Sequence, residues 1–181
     1  MLKRLLAIFL VMCTTLTLQG CTSLGGGLNA FVDDIDGYRF LYPNGWVQIA
    51  VSNGPDVVFH DIIEQTENVS VVINPVPGRK TLSDLGTPGE VGYQLSNSAI
   101  APPGSGRTAE LVDAQERDVN GRIYYTLEYL VKLSDGRERH NLASASISRG
   151  KLFTINASTP EGRWADMQDA LQRSVQSFLV N

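Results

Sequence analysis

The chain has 181 residues, 43% of them apolar and 19% charged, with a formal net charge of −4 and a pI of about 5.1. That composition fits one globular domain with a short appendage, and it excludes a disordered chain and a polytopic membrane protein. The acidic balance also argues against a nucleic-acid binder, which concentrates basic residues on one face.

The first twenty residues stand apart. Lys3 and Arg4 precede a run from Leu5 to Leu18 that is almost wholly apolar, softened by Thr14, Thr15 and Thr17. The run is shorter than the roughly 20 apolar residues needed to span a bilayer. It has the charged and apolar regions of a secretory signal, with a structural helix as the alternative. Leu18-Gln19-Gly20-Cys21 then resembles the lipobox of bacterial lipoproteins. That resemblance implies a diacylglycerol on the Cys21 thiol and cleavage just before it. The chemistry suits the residues: small Gly20 fits a tight protease subsite, and a thiolate is the nucleophile that takes the lipid. Two acyl chains anchor a protein stably where one gives marginal binding. The alternative is a soluble secreted protein with an incidental cysteine.

Cys13 lies within the signal and leaves with it. The mature chain of 161 residues then holds no free thiol and no disulfide, so its core alone stabilises it. A domain of that size buries about 70% of its unfolded surface, which suffices. With Lys3 and Arg4 removed, thirteen basic residues face nineteen acidic ones, a net charge of −6. Such a body, tethered to an anionic lipid surface, stands off from it and meets a protein partner.

Residues 21–36 read as the lipidated N-terminus and a flexible tether, because Gly25-Gly26-Gly27 has no reason to pack. Some order begins near Phe31. Asp33, Asp34 and Asp36 lack the later glutamate of a calcium loop, since Gly45 occupies that position, and read as a solvated lead-in. Residues 37–181 read as one domain. Tyr38, Phe40 and Tyr42 alternate as a strand, Pro43-Asn44-Gly45 turns, and Trp46 to Ile49 is a second strand. Asp56 to Ile63 and Val69 to Val76 follow as strands, with Val69, Val71 and Ile73 on one face. Thr87-Pro88-Gly89-Glu90 is a capping box that opens a helix, with Val91, Leu95 and Ala99 as its apolar stripe.

Arg107 to Val119 is polar enough for an edge strand. Asn120-Gly121 marks a hairpin, since both residues of a type I′ turn take positive φ. Ile123, Tyr125, Leu127, Tyr129, Val131 and Leu133 alternate on one face, while Tyr124 and Leu130 on the other predict that both faces are covered. Glu138 to Arg149 returns with Ala143, Ala145 and Ile147 on one face, small enough to let a helix approach. Leu152 to Ala157 is the last strand. Thr159-Pro160-Glu161 opens a final helix with Trp164, Met167, Leu171, Val175 and Phe178 as its apolar stripe. Strands dominate and two helices pack on them, so the fold class is α+β: a twisted antiparallel sheet covered by helices.

No catalytic motif is present: no G-x-S-x-G, P-loop, G-x-G-x-x-G or H-E-x-x-H. A Ser–His–Asp arrangement stays open by composition, but no serine has a nucleophile context. His60 and Asp61 point to opposite faces of a strand. His60 joins Glu64 or Glu67 only if the following loop folds back. His140 shares a face with Glu138, and two such ligands make a weak metal site; the alternative is a surface or hydrogen-bonded histidine. Tyr124, Tyr125 and Tyr129 either line a small-ligand pocket or are core. Arg163-Trp164 either anchors a partner or is core.

The stretches DGYRFLYPNGWVQI (Asp36 to Ile49), NVSVVINPV (Asn68 to Val76), GRIYYTLEYLVK (Gly121 to Lys132), and GKLFTINAS with RWADM (Gly150 to Met167) resemble, in that order, the PsbP family of photosystem II extrinsic proteins. The lipobox points to its cyanobacterial lipoprotein branch. The resemblance implies an α-β-α sandwich around a central antiparallel sheet and a lumenal position at the thylakoid membrane. It implies docking on photosystem II reaction-centre subunits or assembly intermediates, with no enzymatic activity and no cofactor. Plant members carry a longer N-terminal region that helps retain calcium and chloride at the oxygen-evolving cluster, whereas only Thr22 to Asp36 precedes the fold here. The expected role is therefore aid to assembly or stability. The alternative is a lipoprotein that binds a divalent metal or small ligand and tunes the calcium and manganese environment of that cluster, with weak metal binding and no ligand set named. The one site residue expected is Cys21, for lipid attachment.

Overall fold

The structure, a computed structural model, describes residues 27–78 and 80–181; the signal and Cys21 lie outside them. In chain order the elements are β1 (Leu28–Asp33), β2 (Tyr38–Pro43), β3 (Val47–Ile49), β4 (Val57–His60), β5 (Asn68–Pro75) and α1 (Pro88–Leu95), followed by β6 (Thr108–Val119), β7 (Arg122–Lys132), β8 (Glu138–Ser148), β9 (Lys151–Pro160), α2 (Trp164–Gln176) and β10 (Leu179–Val180). Seven strands form one antiparallel sheet in the order β3-β4-β5-β9-β8-β7-β6, and β1-β2-β10 form a smaller one. Among the described residues no helix is long and apolar enough to cross a membrane.

Alternation along the strands gives the large sheet two unlike faces. One carries Val57, Phe59, Val69, Val71, Phe153 and Ile155, and it is closed by Leu171, Val175 and Phe178 together with Tyr38 and Phe40 of the small sheet. The other carries Tyr125, Leu127, Tyr129 and Val131, covered by Leu82 and Val91. Helix α2 lies over β8 and β9 on the first face, and α1 over β6 and β7 on the second. This is the predicted α-β-α arrangement, with each helix covering a different half of the sheet.

Local chemistry sets several boundaries. The Thr87 hydroxyl accepts from the Glu90 N–H while the Glu90 carboxylate accepts from the Thr87 N–H and hydroxyl, the predicted capping box. Those two donors hold the Glu90 carboxyl below its ordinary range. Asn120 and Gly121 adopt φ of 55° and 81° between β6 and β7, as a type I′ turn requires. Strand β6 is the sheet's edge and carries a register shift between Leu111 and Asp113, which with its charges guards that edge against pairing.

Thr159 and Pro160 end β9 rather than open the last helix, the Thr159 hydroxyl donating to Glu67, and α2 begins at Trp164. Two further readings change. Leu28–Asp33, within the stretch read as tether, form β1 and pair along their whole length with β2, Leu28 opposite Pro43 and Asp33 opposite Tyr38. A strand this short is specified by its partner rather than by its own sequence, and Phe31 packs on Tyr38, Phe40 and Phe59. Second, the alanine face of β8 lies beyond the edge of α1. Helix α1 approaches through Gly92, where an added Cβ would fall 2.9 Å from Leu111 and 3.2 Å from Leu127. The small residues beneath α2 are the alternate set, Ser144, Ser146 and Ser148.

The close approach of Gly92 predicts that Gly92→Val lowers unfolding stability by about 1–3 kcal/mol, through overpacking against Leu111 and Leu127. Gly89→Ala, in open space on the same helix, leaves stability unchanged or raises it by up to about 1 kcal/mol. Urea unfolding with matched m values reads both.

Candidate functional site

The half of the second sheet face that α1 leaves uncovered is polar. Its floor is made by Asn68 and Ser70 of β5, Thr154, Asn156 and Ser158 of β9, and Asn141 of β8, all projecting to one side by strand alternation. Leu95 and Ile100 wall one side, and Arg107, Arg137 and Arg139 stand along the rim. The groove holds about 560 Å³.

Hydrogen bonds organise the floor into a relay. Arg139 donates from Nε and Nη2 to Ser158 Oγ, at 2.9 and 2.8 Å, and from Nη2 to the Thr66 carbonyl. Ser158 Oγ in turn donates to Asn141 Oδ1 at 2.7 Å, and Asn141 Nδ2 lies 3.5 Å from Asn156 Oδ1. Burial draws the Arg139 guanidinium below its ordinary value, with Glu64 and Glu67 pulling the other way. Neither Arg139 nor Arg107 belongs to an ion pair among the described residues, whereas Arg137 pairs with Asp135. The Thr154 hydroxyl is buried with no hydrogen-bond partner among the described groups.

A larger cleft of about 830 Å³ opens at the other end of the strands, around the β6–β7 and β8–β9 turns. Arg39, Lys80, Arg122 and Arg149 line it. Among the described residues, no aspartate, glutamate, histidine or cysteine side chain lines either cleft. Both clefts suit recognition of negative or hydrogen-bonding groups.

Among the described residues, those singled out in the sequence now have a structural place. His140 is 5% exposed and its partner is not Glu138. Its Nε2 lies 2.7 Å from Glu128 Oε1 and its Nδ1 2.9 Å from Glu161 Oε2. The ring stacks on Trp164 with centroids 3.6 Å apart. The imidazole thus joins β7, β8 and the turn before α2, with both nitrogens taken up. His60 ends β4 opposite Val47, and the carboxylates considered for it are engaged elsewhere. Glu64 accepts from Thr66, and Glu67 is wholly buried and accepts from Thr159 Oγ1 and from Arg163. Arg163 is therefore a structural cation, drawn inward by Glu67.

Tyr124, Tyr125 and Tyr129 are core. Their hydroxyls fasten the outer layers: Tyr125 donates to the Gly86 carbonyl, Tyr129 to that of Gly92, and Tyr124 accepts from the Val180 N–H. Desolvation pushes the Tyr129 phenol well above its ordinary value. Asp33, Asp36 and Asp56 offer carboxylate oxygens within 4.8 Å of one another. Each has a partner already: Asp33 Oδ1 caps the N–H groups of Ile35 and Asp36, Asp36 pairs with Lys151, and Asp56 accepts from the Tyr38 hydroxyl. The clefts had no signal in the sequence beyond the alternation of amides and hydroxyls along β5 and β9.

The sequence profile of the PsbP family matches residues 26–180. The chain is 50% identical over 179 residues to CyanoP of Thermosynechococcus vestitus, covering 97% of this chain and 94% of that one. It is 45% identical over 187 residues to CyanoP of Synechocystis sp., covering 99% and 100%. Among solved structures it is similar to the solution structure of cyanobacterial PsbP (CyanoP) from Synechocystis sp. PCC 6803, with a TM-score of 0.74 and 46% identity over 91% of this chain and 99% of that one.

The Glu67 contact predicts that Arg163→Met costs about 2–3 kcal/mol at neutral pH, because a buried carboxylate keeps only Thr159 as a donor. Glu67→Gln, which retains hydrogen-bonding capacity, costs about 1 kcal/mol. Thermal or urea unfolding distinguishes them.

Proposed function

The chain belongs to the PsbP family, and from that premise we propose that it is a lipid-anchored accessory protein of photosystem II on the lumenal side of the thylakoid membrane. It aids assembly or stability of the complex by docking on reaction-centre subunits or assembly intermediates. Cys21 carries the lipid. The observation that carries a docking role, rather than catalysis, is the makeup of the two clefts: arginines and a lysine, amides and hydroxyls, with no carboxylate, histidine or cysteine side chain among the described lining residues.

The division of labour follows from physics. A diacyl anchor confines the protein to two dimensions and raises its effective concentration beside a membrane complex, so weak contacts suffice. Localised cationic clefts on a body of net charge −6 orient it toward acidic features of a partner, while the remaining surface repels other contacts. Rim charges of this kind act mainly on association and make it sensitive to salt. Exchange, which an assembly aid needs, comes with such contacts.

Cys21→Ser is expected to leave the unfolding transition unchanged and to move the protein from salt-washed membranes into the soluble fraction. The tagged wild-type chain, isolated from solubilised thylakoids, is expected to bring reaction-centre subunits with it. Retention of the serine variant on washed membranes contradicts the anchor, and isolates devoid of photosystem II subunits contradict the docking.

A further inference from the structure

We infer that the β4–β5 tip, with Ile62 and Ile63, is a second membrane contact that enters the interfacial region of the bilayer beside the lipidated N-terminus and fixes which end of the protein faces the lipid; this rests on the anchor at Cys21 proposed above. Ile63 is 94% exposed and Ile62 58%, an adjacent pair of large apolar side chains at the outermost point of a hairpin. Two such neighbours make a contiguous apolar patch, the kind of surface that marks a lipid or protein contact more often than scattered single residues do.

The tip is held in shape. Asp61 Oδ1 accepts from the N–H groups of both Ile63 and Glu64, at 2.7 Å each. The Asp61 N–H donates to the Glu67 carbonyl, and the Glu67 N–H to that of Glu64. Below the tip, buried Glu67 is held by Thr159 and Arg163. The isoleucines are thus presented by a turn in which the N–H groups of Asp61, Ile63, Glu64, Thr66 and Glu67 already have internal acceptors, which lowers the cost of entering a water-poor layer. The carboxylate oxygens of Asp61 and Glu64 are held by N–H groups and by Thr66, and the charges of Arg163 and Arg139 act on Glu64, so the tip is an exception to the stand-off expected of the acidic body as a whole.

The place where the chain leaves the fold selects lipid as the occupant. The Gly27 carbonyl accepts from the Asn44 N–H in the turn between β2 and β3. Strand β3 then runs antiparallel to β4 with Val47 opposite His60, so that turn and the 61–67 tip lie at the same end of the sheet. Five residues lie between Cys21 and Gly27, so six peptide links give a reach of roughly 20 Å. An acylated Cys21 therefore keeps this end within that distance of the headgroups. Val47, 39% exposed on the edge strand, lies toward the same end. Ile35, also strongly exposed, sits at the β1–β2 tip at the far end, beside Asp36 and its partner Lys151, beyond the tether's hold.

The test uses the full lipidated chain in protein-free vesicles of phosphatidylcholine and phosphatidylglycerol. Nitroxide labels are placed at Ile63→Cys and, at the opposite end of the strands, at Asn120→Cys; the acylated Cys21 has no thiol to label. Flotation with the vesicles reads the anchor, and collision with dissolved oxygen against a water-soluble nickel chelate reads depth. The expected result is an oxygen-to-nickel collision ratio several-fold higher at position 63 than at position 120. Equal ratios in protein that floats overturn the membrane contact and leave the anchor standing, and assign the isoleucines to a protein partner. Protein that fails to float overturns the anchor and the contact together. Ile62→Ser with a label at 63 is expected to lower the ratio while leaving flotation intact; an unchanged ratio also contradicts the contact.

Discussion

The whole arrangement depends on one constraint: a single seven-stranded sheet has two faces, and each helix covers a different half. The first face is apolar wherever α2 and the small sheet lie over it, with Phe153, Ile155, Leu171 and Phe178 wholly buried. The second is apolar under α1, where Leu127 and Tyr129 meet Val91, and under the neighbouring Leu82. Beyond the edge of that helix, β5 and β9 turn amides and hydroxyls outward. Strand alternation makes the switch inexpensive, since each strand already shows one residue set to each side. The uncovered half becomes a groove because the helix stops, and its position is set by Gly92, which draws α1 against Leu111 and Leu127.

Much of this was legible in the sequence. The capping box at Thr87, the Asn120-Gly121 turn, the long alternation from Ile123 and the stripe of the last helix are local signals, and each marks the element it predicted. What the sequence withheld depends on distant partners. Strand β1 is defined by β2, and two-residue β10 by its pairing with Arg39 and Tyr38. Along β8 both residue sets are small, alanines on one side and serines on the other, so the face beneath a helix could not be read from size. His140 was paired with Glu138, two residues away, yet its acceptors come from β7 and from the turn before α2. The clefts themselves gather residues from five or more separate segments, and no window of sequence shows them together.

Ends matter as much as faces here. The chain enters the fold beside Asn44, and the β4–β5 tip shares that end. The larger cleft, with Arg39, Arg122 and Arg149, opens at the other. Under the proposed anchor at Cys21, the opposite end turns toward the lumen and toward any partner that rises above the membrane. The polar groove runs between the two, its arginine rim near the tethered end. With that anchor in place, attachment supplies orientation, and the docking surfaces need supply only selectivity.

Everything about orientation and partner search leans on the thiol of Cys21. The most direct measurement is the intact mass of the mature chain extracted from membranes, with fragmentation of its N-terminus. The account predicts a chain that begins at Cys21 and carries a diacylglycerol on its sulfur. A mature chain that begins elsewhere, or one whose Cys21 sulfur is free, would contradict it.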